Sequence, residues 1–168
     1  MWATGDTPHD DPPRDALELD DALARCYRHI ARREHSTAEL RAKLARTGLS
    51  QSAVEEALAI VTEQGYLDDD RYARLLAHDR RELDGWGTQR IRARLQDAGI
   101  ATEVIERVLA PHTPVQEHAA ALQLLRRRFP GAPSTNRERQ RAYEALIRQG
   151  FESELAYEAI RAHERDAA

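Results

Sequence analysis

ELRAKLARTGLSQSAVEEAL, residues 39–58, returns twice in altered form, as RIRARLQDAGIATEVIERVL at residues 90–109 and RAYEALIRQGFESELAYEAI at residues 141–160. The three stretches align without a gap, 51 residues apart each time. Leu44, Leu95 and Leu146 coincide, as do Gly48, Gly99 and Gly150. Leu49, Ile100 and Phe151 follow the glycines, and Leu58, Leu109 and Ile160 close the units. A fixed period of this size marks tandem supersecondary units, each too small to bury much core alone.

Each stretch reads as helix, glycine, apolar residue, helix. Leu40 with Leu44, and Ile91 with Leu95 and Ala98, recur at helical spacing on one face. The glycine fits a left-handed position just past a helix end, where a side chain would be opposed, and the apolar residue after it packs back to seal that end. Ser36 with Glu39 and Ser52 with Glu55 have the spacing of capping boxes. A further helix precedes each pair, carrying Leu23, Cys26, Tyr27 and Ile30, then Tyr72, Leu75 and Leu76, then Leu122, Leu125 and Phe129. The expected fold is therefore all-α: nine helices in three tandem three-helix units, at residues 22–64, 65–113 and 114–168, stacked into an elongated, curved array.

Composition agrees. Of 168 residues, 5% are aromatic and 32% charged, so the core must come from Leu, Ile, Val and Ala, which favour helices. Cys26 is the single cysteine, which excludes an internal disulfide and a cysteine-based zinc site. Apolar runs are far shorter than a membrane span, and the N-terminus lacks the basic and apolar regions of a secretory signal. A soluble, cytoplasmic protein with no membrane association is expected. Residues 1–21 hold seven acids against Arg14 alone and are rich in proline, which predicts a disordered acidic tail.

The run Asp68, Asp69 and Asp70 is read as a helix start, where a carboxylate caps free N–H groups and favours the positive end of the dipole; Asp70 is also placed to pair with Arg74. A divalent metal would need ligands converging from elsewhere, and no second acidic cluster has the spacing. No metal, cofactor or catalytic residue is expected. The histidines form no helical zinc pair, and His112 and His163, at equivalent repeat positions, read as surface or helix-end residues. There is no nucleophile elbow and no phosphate-binding glycine loop.

Arginine is what remains. The second helix of each unit is basic, with Arg41, Lys43 and Arg46, then Arg90, Arg92 and Arg94, then Arg137, Arg139 and Arg141, whereas third helices carry Glu55 and Glu56, Glu103 and Glu106, Glu154 and Glu158. Each unit reads as electrically two-sided. A helix-turn-helix reading of residues 90–109 would place glutamates against phosphate, which disfavours groove recognition. The basic helices suit a phosphate backbone or an acidic protein surface instead. Trp86, held between Gly85 and Gly87 at the start of a basic helix, reads equally as core packing or as partner contact. The candidate contact residues are Arg41, Lys43, Trp86, Arg90, Arg94, Arg137 and Arg141.

At these residues the chain resembles the RecX family of bacterial regulatory proteins. The matching stretches are GYLDDDRYA at residues 65–73, GWGTQRIRARLQDAGI at 85–100, ARREHSTAELRAKL at 31–44 and LIRQGF at 146–151. Thr88 stands where relatives tend to have proline and is expected to cap its helix; Ala142 replaces the larger apolar residue held by Leu40 and Ile91. The resemblance implies a protein without catalysis of its own, expected as a monomer. It would bind the RecA recombinase filament on single-stranded DNA and restrain its ATP hydrolysis, strand exchange and coprotease activity in recombination, DNA repair and the SOS response. The alternative from the residues themselves is a helical protein that binds single- or double-stranded DNA directly through its basic second helices.

Overall fold

The computed structural model describes residues 14–166, and among these every regular element is helical. The chain divides into two compact bodies, residues 1–68 and residues 69–168.

The first body contains α1 (Arg14–Ile30), α2 (Thr37–Leu44), a single 3-10 turn (Ala45–Thr47) and α3 (Gln51–Glu63). Its core gathers Ala22 and Cys26 from α1, Leu40 and Leu44 from α2, Val54, Ala57, Leu58 and Val61 from α3, and Leu67. Gly48 ends the second helix at φ +80°, the left-handed geometry that the repeat predicts. Ser36 accepts the Glu39 N–H at 3.0 Å and caps α2.

Two expectations are corrected here. Residues 14–21 are not tail but the first two turns of α1, and the described part of the segment read as disordered is helix. Its acids hid an apolar stripe, because Ala16, Leu19, Leu23 and Cys26 recur at three- and four-residue intervals. The acids also have uses: Asp21 pairs with Arg25 at 3.0 Å, and Glu18 accepts the Ser50 N–H at 3.1 Å. Residues 1–13 lie outside the described residues. The cap of α3 is Ser50, which accepts the Ala53 N–H at 3.4 Å; Ser52 lies inside the helix, and Glu55 is engaged elsewhere.

Cys26 is fully buried, and burial pushes its thiol up to about 11. Thiolate is the reactive form, so in mildly alkaline buffer a thiol reagent should modify the native protein very slowly and the denatured chain promptly. Equal rates in the two states would place Cys26 at the surface.

The second body holds α4 (Asp69–Glu82), α5 (Thr88–Asp97) and α6 (Thr102–Leu109) around one core, and α7 (Pro114–Arg128), α8 (Asn136–Gln149) and α9 (Ser153–Asp166) around another. Helix α4 begins at Asp69, as the aspartate run predicts. Asp70 pairs with Arg74 and accepts from Arg107, whose hydrogen bond is the main reason its carboxyl lies below the usual range. The core side of α4 is Tyr72, Ala73, Leu76 and Ala77; Leu75, expected there, is 45% exposed. In the other core Ala142 and Phe151 belong to one cluster, with the smaller residue where the other units have Leu40 and Ile91 and the larger where they have Leu49 and Ile100. His163 is buried rather than superficial, its Nε2 2.8 Å from the Phe129 carbonyl. Capping boxes open α7, through Thr113 and Gln116, and α8, through Thr135 and Glu138. Glu138 lies below the usual carboxylate range because it accepts the Ser134 and Thr135 N–H groups.

Candidate partner interface

A helix exposes unpaired N–H groups at its start and unpaired carbonyls at its end, with partial charges of opposite sign. In the second body these ends meet. The C-terminus of α8 abuts the N-terminus of α5: the Gly87 N–H donates to the Gln149 carbonyl at 2.8 Å, and the Gln89 N–H donates to the Gly150 carbonyl at 3.0 Å. The Arg90 guanidinium donates to the Arg148 carbonyl at 3.3 Å and to the Gln149 side chain, placing a cation at the negative end of α8. Gln89 adds a side-chain bond to Glu152 at 2.6 Å.

The approach is close enough to need glycine on both sides. A Cβ on Gly87 would lie 2.5 Å from the Gly150 carbonyl carbon and oxygen, and one on Gly150 would collide with the Arg90 Cβ and lie 2.5 Å from the Arg90 nitrogen. Gly150 thus serves two purposes, since its φ of +91° also ends α8.

The Thr88 N–H, between the other two donors, goes to Glu117 of α7. The Glu117 Oε1 accepts that N–H at 2.7 Å and its Oε2 accepts the Thr88 hydroxyl at 3.0 Å. Thr88 is therefore the first helical residue of α5 and not its cap; Gly87 holds the cap position without a side-chain bond, and a buried carboxylate from the next three-helix unit does the capping. His112 Nε2 stands 2.8 Å from the same carboxylate. Arg81, whose Nε and Nη2 have no hydrogen-bond partner among the described residues, feels the Glu117 charge as well, which opposes the downward push of burial on its guanidinium.

Trp86 sits at this seam. It is half-buried and packs against the α4–α6 core, while the Arg90 guanidinium lies 4.0 Å and the Arg80 guanidinium 5.0 Å from its ring centroid. Core packing is present, and the ring also carries two guanidinium groups of its own chain. Trp86 also lines a cavity of about 400 Å³ with Arg81, His112, Gln116 and Gln123.

The candidate residues fare differently. Trp86 and Arg90 are brought together, with Arg90 already engaged by α8. Arg94 lies one turn further along α5 and is partly exposed. Arg137 and Arg141 are exposed on α8. In the first body Lys43 is exposed, and Arg41 donates to Glu55 at 2.6 and 3.0 Å.

That last pair revises the two-sided charge reading. Arg41–Glu55 in the first unit recurs as Arg92–Glu106 in the second, each 14 residues apart and joining the second helix to the third. In both units one base of the second helix is bridged to one acid of the third, so these two charges do not lie on separate faces. The third unit has Tyr143 and Tyr157 at the equivalent positions, stacked with centroids 4.7 Å apart and planes 22° from parallel.

Among the described residues there is no group of three His, Cys, Asp or Glu side chains that could hold a metal, and no helix long and apolar enough to cross a membrane.

Three sequence profiles match in order: the RecX first three-helix domain over residues 22–59, the second over residues 68–109 and the third over residues 116–160. Regulatory protein RecX of Halorhodospira halophila is 37% identical over 140 residues, covering 83% of this chain and 86% of that protein. A Thermus thermophilus protein of the same name is 37% identical over 141 residues, 84% of this chain and 91% of that one. The Deinococcus radiodurans protein of that name is 36% identical over 139 residues, and the match covers 66% of its length. Among solved structures, RecX from Lactobacillus salivarius has the same fold, with a TM-score of 0.79 at 16% identity over 89% of this chain and 99% of that one. A second structure, titled regulatory protein RecX, gives a TM-score of 0.75 at 25% identity over 88% of this chain and 73% of that one.

Proposed function

The chain belongs to the RecX family of regulatory proteins, and from that membership we propose that it binds the RecA filament on single-stranded DNA and inhibits ATP hydrolysis, strand exchange and coprotease activity. It acts by occupying the filament, as a cytoplasmic monomer, and performs no catalysis itself. The observation that carries this reading is the ordered presence of all three family units, with the Gly85-Trp86-Gly87 turn of the second meeting α8 of the third.

Titrating the protein onto RecA assembled on single-stranded DNA with ATP should lower the hydrolysis rate progressively and shorten the filaments. Unchanged hydrolysis and unchanged filament length at equimolar dose or above would remove the proposal.

Arg90 and Arg94 with Trp86 are the proposed contact patch. Arg94→Ala should weaken filament inhibition several-fold, and because Arg90 also carries bonds to α8, Arg90→Ala should lower the melting temperature as well as the inhibition. The double change Arg90→Ala with Arg94→Ala should weaken it further while also loosening the seam. Full inhibition by the double variant would move the contact elsewhere, to Arg41 and Lys43 or to Arg137 and Arg141.

A further inference from the structure

The position that joins second to third helix is an ion pair in two units and an aromatic stack in the third. An ion pair suffices to bridge the helices, so the stack offers something that bridging does not require. Tyr143 is fixed: it packs against its core, and its hydroxyl is 2.9 Å from the Ser153 hydroxyl. Tyr157 lies against that fixed ring and is nevertheless 50% exposed, so it is a planar surface of set orientation, open on its free side.

Around it is a cavity of about 270 Å³ lined by Asn136, Arg139, Gln140, Arg161 and Glu164, with Ile160 at its side. Arg139 donates to Glu164 at 2.5 Å, which neutralises the one carboxylate in the lining. Arg161, one turn after Tyr157 on the same helix, is exposed with no ion-pair partner among the described residues. A pre-oriented ring, amide groups and the unpaired Arg161 guanidinium beside it match a ligand that is flat and carries negative charge on a flexible backbone.

We propose that Tyr157, backed by Tyr143 and flanked by Arg161, is a stacking site for a base of single-stranded nucleic acid, with Arg161 meeting an adjacent phosphate. Bases of any identity stack on an aromatic face, so the site is sequence-tolerant. It goes beyond the filament reading and does not depend on it, because it is measured on bare strands.

The test uses fluorescence anisotropy with the full chain, without RecA, on a fluorescein-labelled oligothymidine and on an abasic strand of equal length and charge. Wild-type protein should bind the oligothymidine about tenfold more tightly than the abasic strand, a difference of ~1.4 kcal/mol. Tyr157→Ala should lose that preference, Tyr157→Phe should keep it, and Arg161→Ala should weaken both strands alike with a salt slope smaller by about 1. Equal binding of the two strands by wild-type protein, or no binding of either, overturns the site without relying on any variant. Unaltered base preference in Tyr157→Ala also overturns it. Weaker filament inhibition by Tyr157→Ala with unchanged bare-strand binding would assign the ring to a protein surface instead.

Discussion

Gly150→Ala is expected to destabilise the second body by about 3 kcal/mol or more, seen as an early transition in urea or thermal unfolding followed by circular dichroism. Two costs combine. An L-residue held at φ +91° loses roughly 1–2 kcal/mol, and the new methyl group must push α5 away from α8 because it meets the backbone of Arg90, which adds the ~1–3 kcal/mol of an overpacked site. Displacement would also stretch the bonds from Gly87 and Gln89 to the α8 carbonyls. Gly48→Ala is the matched control: φ is +80° there, but nothing lies within 4 Å of the added carbon, so only the conformational cost of roughly 1–2 kcal/mol applies. Equal effects at the two glycines would mean that the seam yields freely.

Glu117→Ala should cost about 2–4 kcal/mol. The carboxylate is buried and answers the Thr88 N–H and hydroxyl at once, and its removal leaves those donors without their acceptor and takes away a negative charge that offsets the burial of Arg81. Glu117→Gln keeps the shape and one acceptor oxygen and should fall between wild type and alanine. A double-mutant cycle with Thr88→Val, which removes the hydroxyl while sparing the N–H, should show a coupling of about 1 kcal/mol. Additive effects would mean that the hydroxyl contributes nothing through Glu117.

The architecture was legible because it repeats. Leu44, Leu95 and Leu146 are buried second-helix residues at one phase, and the glycines at 48, 99 and 150 all adopt the left-handed conformation that their place after a helix implies. Boundaries were less legible where composition masked periodicity, as in the acidic first turns of α1, or where two serines competed for one cap, as Ser50 and Ser52 did. The boxes at Thr113 and Thr135 could have been found, since Gln116 and Glu138 stand three residues on.

The seam was a different kind of omission. Periodicity within a unit reports which face is buried there, and carries no information about which residue of another unit completes a helix end. Glu117 therefore draws no reading from the sequence, and Gly87 reads as half of the turn that holds Trp86. Arg41 with Glu55 and Tyr143 with Tyr157 occupied matching columns of the alignment from the start, yet only the distance between the helices shows them to be one bridge made with two chemistries.

The meeting of α8 with α5 also bears on the order in which the chain can fold as it is made. The N-terminal donors of α5 are satisfied by Glu117, Gln149 and Gly150, some 30 to 60 positions later in the sequence. The middle three-helix unit is thus synthesised in full before any of the groups that finish it exist. Until then the α5 N–H groups are open to solvent in place of carbonyls, and α8, made later, closes a structure begun well before it.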